Sequence, residues 1–294
     1  MKVAIAGGTG LVGTALVQHL SQTGHTCLIL SRQSGDGHIV WNPAKGVLDA
    51  AALEGVDAVV NLAGRNVGQR WSTALKREIR DSRVDGTRLI AEAMAQLNPR
   101  PQTLINASAI GYYGAQRQEA LGESAAAGKG FLAEVTEAWE ESTMAAEAAG
   151  IRVVKLRIGV VLSPAGGALA KMLPAFRAGL GGPLGDGQAV LSWIALDDLV
   201  RLIVFALEEP RVAGPVNAVA PNAVANAEFT RVLGDVLNRP AVIPAPAFAL
   251  KLAFGEMANE TLLSSLHVVP EKAQAAGFTF DFPDLKPALE HLLS

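Results

Sequence analysis

A glycine-rich turn lies between two short apolar runs at the start of the chain. Residues 2–6 predict a β-strand, residues 11–23 a helix that ends at Gly24, and residues 26–30 a second strand. The turn before the helix is residues 7–13, with the sequence Gly-Gly-Thr-Gly-Leu-Val-Gly. Strand, glycine turn, helix and strand in this order predict a βαβ unit, in which the two strands are parallel.

Each glycine of the turn has a physical role in such a unit. Gly7 allows a tight turn off the strand, Gly10 leaves room for a pyrophosphate near backbone N–H groups, and Gly13 allows close packing of helix and strand. The helix N-terminus adds unpaired N–H groups and a partial positive charge. The motif therefore predicts a dinucleotide site, and a glycine turn in another kind of α/β protein is the alternative.

The end of the second strand indicates which dinucleotide is bound. An acidic residue about twenty positions after the turn would accept a hydrogen bond from the ribose 2′-hydroxyl of NAD. This chain has Ser31 and Arg32 there instead, and a guanidinium group offers planar donors to a 2′-phosphate. We therefore expect NADP(H), with a solvated loop arginine as the alternative reading of Arg32.

Composition limits the class of protein and its partners. The 294 residues are half apolar and carry a net charge of −3, which gives no electrostatic reason to expect nucleic acid or an anionic membrane as a partner. One cysteine, Cys27, excludes a disulfide within the chain, and five scattered histidines predict no metal site. The first predicted strand leaves no room for a signal peptide, and no apolar run reaches the roughly 18 residues of a membrane helix. We expect a cytoplasmic protein, with removal of a targeting segment as the alternative.

Strands and helices continue to alternate along the first 160 residues. The further predicted strands are residues 57–62, 103–107 and 151–158. The helices between them are predicted at 71–96, with a break near 81–83, and at 131–149, whereas residues 115–130 are predicted to form a mobile loop. Alternation of this kind, with right-handed crossovers, predicts the doubly wound α/β fold of a Rossmann domain.

The pattern loosens after Gly159, where glycine and proline become frequent. We predict that residues 1–162 form the dinucleotide-binding domain and that residues 189–219 return to it. Residues 163–188 and 220–294 are then a smaller, mostly helical domain. Its expected place is over the cofactor cleft, where it would shape a substrate pocket.

Several motifs resemble those of an atypical branch of the extended short-chain dehydrogenase/reductases, the NAD(P)-dependent epimerase family branch with a C-terminal domain of unknown function. They are the residue 7–13 turn, 61–64, the strand end at Ser108, 70–71 with 81–83, 131–134, 179–185, 193–198, 226–229, 244–246, 269–272 and 276–278. These motifs span nearly the whole chain. The resemblance implies the fold predicted above and NADPH as the cofactor.

The resemblance also implies which residues would contact NADP(H). The implied positions are Thr9, Gly10, Leu11, Val12, Ser31 and Arg32 at the phosphates, Leu62 and Ala63 along the cofactor, Glu78 and Arg83 from the helix after the third strand, and Val161 near the nicotinamide. Arg83 is a plausible donor to a phosphate or ribose, whereas a carboxylate such as Glu78 needs a hydroxyl or amide donor. An exposed charge pair on the helix is the alternative for both.

One departure from the wider superfamily concerns catalysis. Those enzymes use a Tyr-x-x-x-Lys pair on the helix after the fourth strand, and the helix here, from Phe131 onward, contains neither residue. The only tyrosines are Tyr112 and Tyr113. Ser108 and Tyr113 are the candidate catalytic residues, because each follows or ends a strand that reaches the cleft; a strand-end hydroxyl bonded to backbone and a pocket-wall aromatic are the alternatives.

Two functions follow from this pattern. The first is an NADPH-dependent oxidoreductase, or an epimerase acting through transient oxidation, with proton transfer by Ser108, Tyr113, a water molecule or the substrate. The second is an NADP(H)-binding sensor or scaffold that no longer turns over. A homodimer is a further expectation that the sequence leaves open.

Overall fold

Short apolar segments separated by glycine turns form the strands of this protein, which a computed structural model describes over residues 1–294. The strands are β1 Lys2–Ala6, β2 Thr26–Ser31, β3 His38–Asn42, β4 Val47–Leu48, β5 Ala58–Asn61, β6 Thr103–Ala109, β7 Gln116–Leu121, β8 Arg152–Ile158, β9 Val160–Ser163, β10 Val190–Leu191, β11 Trp193–Ala195, β12 Gly214–Ala218, β13 Val224–Ala225 and β14 Ser265–Val268. The helices are α1 Leu11–Gln22, α2 Thr73–Gln96, α3 Phe131–Glu141, α4 Met144–Ala148, α5 Gly167–Arg177, α6 Leu196–Glu208, α7 Asn226–Leu237, α8 Ala247–Phe254, α9 Glu271–Ala275 and α10 Leu285–Leu293.

Eight strands form the central sheet, in the order β12-β8-β6-β5-β1-β2-β3-β4. Every pairing is parallel except that of β3 with β4. The chain adds β2, β3 and β4 on one side of β1 and then returns to add β5, β6, β8 and β12 on the other side. This confirms the predicted doubly wound fold, and it places the carboxyl ends of the parallel strands along one edge.

Alternation along β1 shows how the two faces of the sheet are covered. Val3 and Ile5 belong to an apolar cluster that includes α1 and α6, whereas Ala4 and Ala6 belong to a second cluster that includes α2. Successive side chains of a strand point to opposite faces, so both faces are buried under helices.

Helix α2 is continuous, and the predicted break near residues 81–83 is wrong. The Ser72 hydroxyl caps the helix by accepting from the Leu75 N–H at 3.2 Å. Ser82 does not start a new helix, because its hydroxyl donates back to the Ile79 carbonyl one turn earlier. The Ser82 hydroxyl, which could have capped a second helix, is therefore bonded within α2. The helix stays continuous because one of its faces is buried.

Part of the predicted loop at residues 115–130 is a strand. β7 lies within it and pairs in parallel with β14, more than 140 residues later in the chain. This pairing depends on a distant segment, so local sequence could not indicate it.

Residues after β8 form a third apolar cluster beside the sheet. Helices α5, α7 and α10 pack around Leu173, Phe229 and Leu289, with Trp193 of β11 fully buried among them. β12 pairs with β8 and so forms one end of the central sheet. No helix of the protein is long and apolar enough to cross a membrane.

Candidate cofactor site and the buried network beside it

The glycine turn after β1 packs directly against the chain that leaves β5. Gly7 has a φ of +78°, and a Cβ there would lie 2.9 Å from the Leu62 carbonyl carbon. A Cβ on Gly13 would lie 2.1 Å from the Gly7 oxygen. Both positions therefore require glycine. Gly13 relieves contact with the turn itself, which differs from the helix-to-strand contact expected from the motif.

No side chain of the protein caps the start of α1, which lies at the carboxyl edge of the sheet. Gly10 is the N-cap residue, no side chain caps the helix, and the first turn holds no acidic residue. Thr9 and Gly10 are exposed, whereas Leu11 and Val12 are half-buried. Unpaired N–H groups and the positive end of the helix dipole make this turn suited to an anion.

Ser31 and Arg32 lie at the end of β2, next to β1 in the sheet. The Ser31 hydroxyl accepts from the Gln33 N–H at 3.1 Å. Arg32 is exposed, and its guanidinium group forms no ion pair or hydrogen bond within the chain. A free cation therefore stands beside the glycine turn.

Arg83 of α2 contacts the segment that follows β5. Its guanidinium group donates to the carbonyls of Arg65 and Ile79, both at 3.0 Å, and lies 5.0 Å from the centre of the Trp139 ring. A Cβ on Gly64 would lie 3.1 Å from its central carbon. No carboxylate pairs with it, so burial lowers the pKa of Arg83 to about 10. The site therefore holds a half-buried cation without a carboxylate partner.

The remaining residues that the resemblance places at the cofactor differ in their burial and in their contacts. Leu62 and Ala63 are half-buried against the glycine turn. The Glu78 carboxylate pairs with Arg65, which lies before α2, at 3.1 Å, and both side chains are more than half exposed. Val161 lies in β9, and its carbonyl is within 3.5 Å of the Cβ position of Gly167, which also contacts Leu11.

The Ser108 side chain contacts a buried ion pair. Its hydroxyl donates to Glu140 Oε1 at 2.7 Å, and Arg157 donates to both oxygens of Glu140 at 2.8 and 2.9 Å. All three residues are buried. The Ser108 hydroxyl is therefore bonded within a buried ion-pair network, and its catalytic role stays a prediction.

Tyr113 belongs to the same network. It is fully buried, its hydroxyl donates to Asn217 Oδ1 at 2.7 Å, and it accepts from Arg157 at 3.0 Å. Burial raises the pKa of Tyr113, although its bond to Arg157 opposes the change. The Tyr113 hydroxyl is therefore bonded within the protein, and its catalytic role also stays a prediction.

Sequence reasoning missed Glu140, Arg157 and Asn217 as members of this network. One signal was present, because Arg157 interrupts an otherwise mostly apolar strand. A charge at such a position needs a buried partner. Nothing in the sequence indicated that Glu140, 17 residues earlier, was that partner.

The C-terminal region contacts the carboxyl edge through a second set of polar groups. The Glu260 carboxylate accepts from the N–H groups of Phe131 and Leu132 at 3.0 and 2.8 Å, at the start of α3. Arg70 donates to the Leu252 carbonyl at 2.6 Å. These bonds hold residues 252–260 above the edge of the sheet, near the segment that follows β5.

The likeness to known proteins covers the whole chain. The family described as NAD dependent epimerase/dehydratase matches residues 3–219, and a domain of unknown function, DUF1731, matches residues 245–292. The epimerase family protein Mb2239 of Mycobacterium bovis is 46% identical over 98% of this chain and 96% of its own.

Two solved structures are similar. The crystal structure of the human epimerase family protein SDR39U1 (isoform 2) with NADPH has a TM-score of 0.91 at 35% identity and covers 99% of each chain. The nucleoside-diphosphate sugar epimerase of Corynebacterium glutamicum has a TM-score of 0.82 at 36% identity, over 100% of this chain and 58% of that one. The matched family models, the doubly wound sheet and this full-length similarity place the chain in the NAD dependent epimerase/dehydratase family, in its extended short-chain dehydrogenase/reductase branch with a DUF1731 C-terminal domain.

Proposed function

We propose that this protein binds NADP(H) at the carboxyl edge of its sheet and acts on a small substrate as an oxidoreductase or epimerase. The observation that carries the proposal is Arg83, a half-buried guanidinium group with no carboxylate partner beside Gly64. A cation in that state gains most from an anionic ligand, because burial has already removed part of its hydration.

The residues around Arg83 fit a dinucleotide. Gly7 and Gly13 allow the tight packing of the turn after β1, and the uncapped start of α1 suits a pyrophosphate. Arg32 stands free at the position that favours a 2′-phosphate over a 2′-hydroxyl. The human relative crystallised with NADPH supports the same choice. When bound, the nicotinamide would supply or accept a hydride.

Tyr112 is the phenol that we propose as the proton carrier. It follows β6, it is half-buried, and its hydroxyl forms no hydrogen bond within the chain. The guanidinium carbon of Arg157 lies 3.4 Å from the centre of its ring. In this proposal Arg157 positions the ring, and the Tyr112 hydroxyl exchanges a proton with the substrate oxygen.

A second function, a non-catalytic NADP(H) sensor or scaffold, is favoured by the start of α3. The helix provides neither tyrosine nor lysine there, and the Glu260 carboxylate already occupies its N-terminal N–H groups. Turnover therefore decides between the two functions.

Cofactor choice is tested by titrating the purified protein with NADPH and NADH while following nicotinamide fluorescence. We expect tighter binding of NADPH, and we expect Arg32→Asp to weaken NADPH far more than NADH. Arg88→Asp is the matched control, because Arg88 is an exposed arginine paired with Asp85 on α2. Equal losses of both cofactors in Arg32→Asp would contradict the NADP assignment.

Turnover is tested by following NADPH absorbance with pooled small carbonyl compounds and nucleotide sugars. Oxidation that is lost in Tyr112→Phe and retained in Tyr113→Phe supports an enzyme with Tyr112 as its proton carrier. Tight binding without oxidation in any pool supports the sensor or scaffold.

A further inference from the structure

Residues 247–263 contact the starts of both α2 and α3, and we call them the strap. The strap comprises α8, Gly255 and a π-helical turn at Ala258–Leu262. Met257 and Ala258 are its only buried residues, and no residue of the strap belongs to an apolar cluster of the chain. A segment with so few apolar contacts opens at a low free energy compared with the core.

Two side chains from the segment that follows β5 hold one part of the strap. Arg70 donates to two carbonyls at the end of α8, at 2.6 and 3.2 Å. Lys76, in the first turn of α2, contacts both carboxylate oxygens of Glu256 at 2.6 Å. The segment that carries Arg70 also carries Leu62 and Ala63, which pack against the glycine turn. The strap is therefore bonded to one wall of the candidate cofactor site.

Glu260 holds the other part of the strap, at the start of α3. Its two carboxylate oxygens accept from the N–H groups of Phe131 and Leu132 at 3.0 and 2.8 Å. The first N–H groups of a helix have no partner within the helix, so Glu260 supplies the acceptor that they lack. Gly130, with a φ of +115°, allows this approach, because a Cβ there would lie 3.0 Å from Glu260 Oε1. Glu260 itself lies in the π-helical turn, a rare conformation that is frequent at functional sites.

The position of the strap corresponds to the nicotinamide end of the candidate cofactor site. Arg32 follows β2, whereas β5 and then β6 lie on the other side of β1 in the sheet. A dinucleotide with its 2′-phosphate at Arg32 and its pyrophosphate at the start of α1 therefore extends toward β5 and β6. The start of α3 is also next to Tyr112, since a Cβ on Gly111 would lie 3.2 Å from the Leu132 Cβ.

The contacts that hold the strap are polar and lie near water. The side chains of Lys76 and Glu256 are 29% and 47% exposed. Separation of such an ion pair costs little, because water solvates both groups. The bonds that Glu260 accepts are charge-assisted and are therefore the stronger contact. The strap can therefore detach while the apolar clusters of the sheet stay packed.

We propose that the strap is a lid over the nicotinamide end of the cofactor site, closed by Glu256 and Glu260 and opened for the entry and release of NADP(H). The proposal rests on NADP(H) binding at the carboxyl edge of the sheet. It gives the C-terminal region a role in cofactor exchange, because the nicotinamide half of the dinucleotide passes beneath the strap.

The first test is stopped-flow fluorescence of NADPH association and dissociation with the full chain. A lid that is closed most of the time slows both steps by the fraction of molecules that are open. Glu260→Ala should therefore raise both rate constants by about tenfold or more. Glu256→Gln should raise both by about two- to fivefold. The Kd should stay the same in both variants, because the two rate constants rise together.

Asp235→Asn is the matched control, because Asp235 is in an exposed ion pair with Arg231 on α7 and does not contact the strap. Its rate constants should equal those of the unaltered chain, and thermal unfolding shows whether each variant is folded. Unchanged rate constants in Glu256→Gln and Glu260→Ala would overturn the lid. Faster dissociation with unchanged association would show that strap residues bind the cofactor directly, and it would overturn the lid too.

Adenosine 2′,5′-bisphosphate separates failure of the lid from failure of the cofactor site. This probe has the adenosine half and the 2′-phosphate but no nicotinamide, so calorimetry should give the same affinity in the unaltered chain and in both strap variants. If neither this probe nor NADPH binds the unaltered chain, the cofactor site and the lid are both wrong. If both bind and the strap variants exchange NADPH at the rate of the unaltered chain, only the lid is wrong.

Hydrogen exchange at the Phe131 and Leu132 amides measures opening without any cofactor, because Glu260 is their acceptor. Glu256→Gln should speed exchange at both amides by about two- to fivefold, although Glu256 bonds only to Lys76. This coupling is expected only if the strap detaches as one unit. Unchanged exchange at these amides in Glu256→Gln would show that the two contacts open separately, which contradicts the lid.

Discussion

Arg157 is buried and Arg83 is half-buried, and only Arg157 has a carboxylate beside it. Arg157 donates to both oxygens of Glu140 and to Tyr113, and the Glu140 bonds and charge raise its pKa against the effect of burial. Arg83 donates only to two carbonyls, and its pKa falls to about 10. The pKa values of these two arginines, which lie near the same edge of the sheet, are therefore shifted in opposite directions.

Whether a polar group is already bonded within the protein distinguishes structural residues from candidate ligand contacts better than residue type does. Ser108 and Tyr113 have chemistry suited to catalysis, yet every polar atom that they offer is used within the protein. Arg83, Arg32 and the start of α1 keep unsatisfied capacity on the open edge. A polar group that the protein leaves unsatisfied is the better candidate for a ligand contact.

The largest effect is expected from Glu140→Gln. The change leaves the Arg157 charge buried without a counter-charge, so the free energy of unfolding should fall by about 3 to 5 kcal/mol. Urea unfolding measures it. Glu147→Gln is the control, since Glu147 pairs with Lys155 nearer the surface and should cost less than about 1 kcal/mol. If both variants lower the free energy of unfolding equally, the buried ion pair is no more important for stability than the pair nearer the surface.

Arg83→Ala should have the next largest effect, on cofactor affinity. Loss of a charge-assisted contact corresponds to about 1.5 to 3 kcal/mol, or roughly 10- to 100-fold in the Kd for NADPH. Glu78→Gln should change the Kd by less than about fivefold, because Glu78 is in an exposed ion pair. Fluorescence titration compares the two, and a larger loss in Glu78→Gln would place Glu78 at the cofactor instead.

Tyr113→Phe should lower the free energy of unfolding by about 1 to 2 kcal/mol. The change leaves Asn217 Oδ1 without its donor and Arg157 without one acceptor in a buried site. Tyr112→Phe should change it by less than about 0.5 kcal/mol, because the Tyr112 hydroxyl has no partner within the chain. If the two variants unfold alike, the buried network does not depend on the Tyr113 hydroxyl.

The smallest effect is a dependence of stability on alkaline pH. The pKa of Tyr113 is raised above its ordinary value of 10 in the folded chain, so the folded state keeps the proton to higher pH than the unfolded state. Its contribution is complete below pH 10 and is lost as pH rises from 10 through the folded pKa. The stability difference between the unaltered chain and Tyr113→Phe should therefore shrink above pH 10. A constant difference would show that Tyr113 titrates alike in both states.

Much of the fold could be predicted from local pattern. The glycine turn, the apolar strands and their alternation with helices specify a doubly wound sheet, because strand period and turn conformation are set by nearby residues. The prediction failed at Ser82, where a capping residue bonds inside a continuous helix, and at β7, which pairs with a strand far away in sequence. Both failures come from tertiary contacts that override a local signal.

The candidate cofactor site was largely predictable, and the contacts of the candidate catalytic residues were not. A glycine turn carries its own geometry, so Gly7 and Gly13 indicate the site through residue type and spacing alone. The orientation of a hydroxyl at a strand end depends on which neighbours fill the space around it. Ser108 and Tyr113 turn toward Glu140 and Asn217, and neither partner is near them in sequence.

The sequence by itself determined the fold class, the dinucleotide turn and the absence of a Tyr-x-x-x-Lys pair on α3, because each depends on residue type and short spacing. Only the tertiary structure decided which charges are neutralised: it paired Arg157 with Glu140 and left Arg83 without an anion. Net charge and local motifs cannot show this, since an electrostatic interaction depends on distance in space and on exposure to water, and both are set when distant segments pack together.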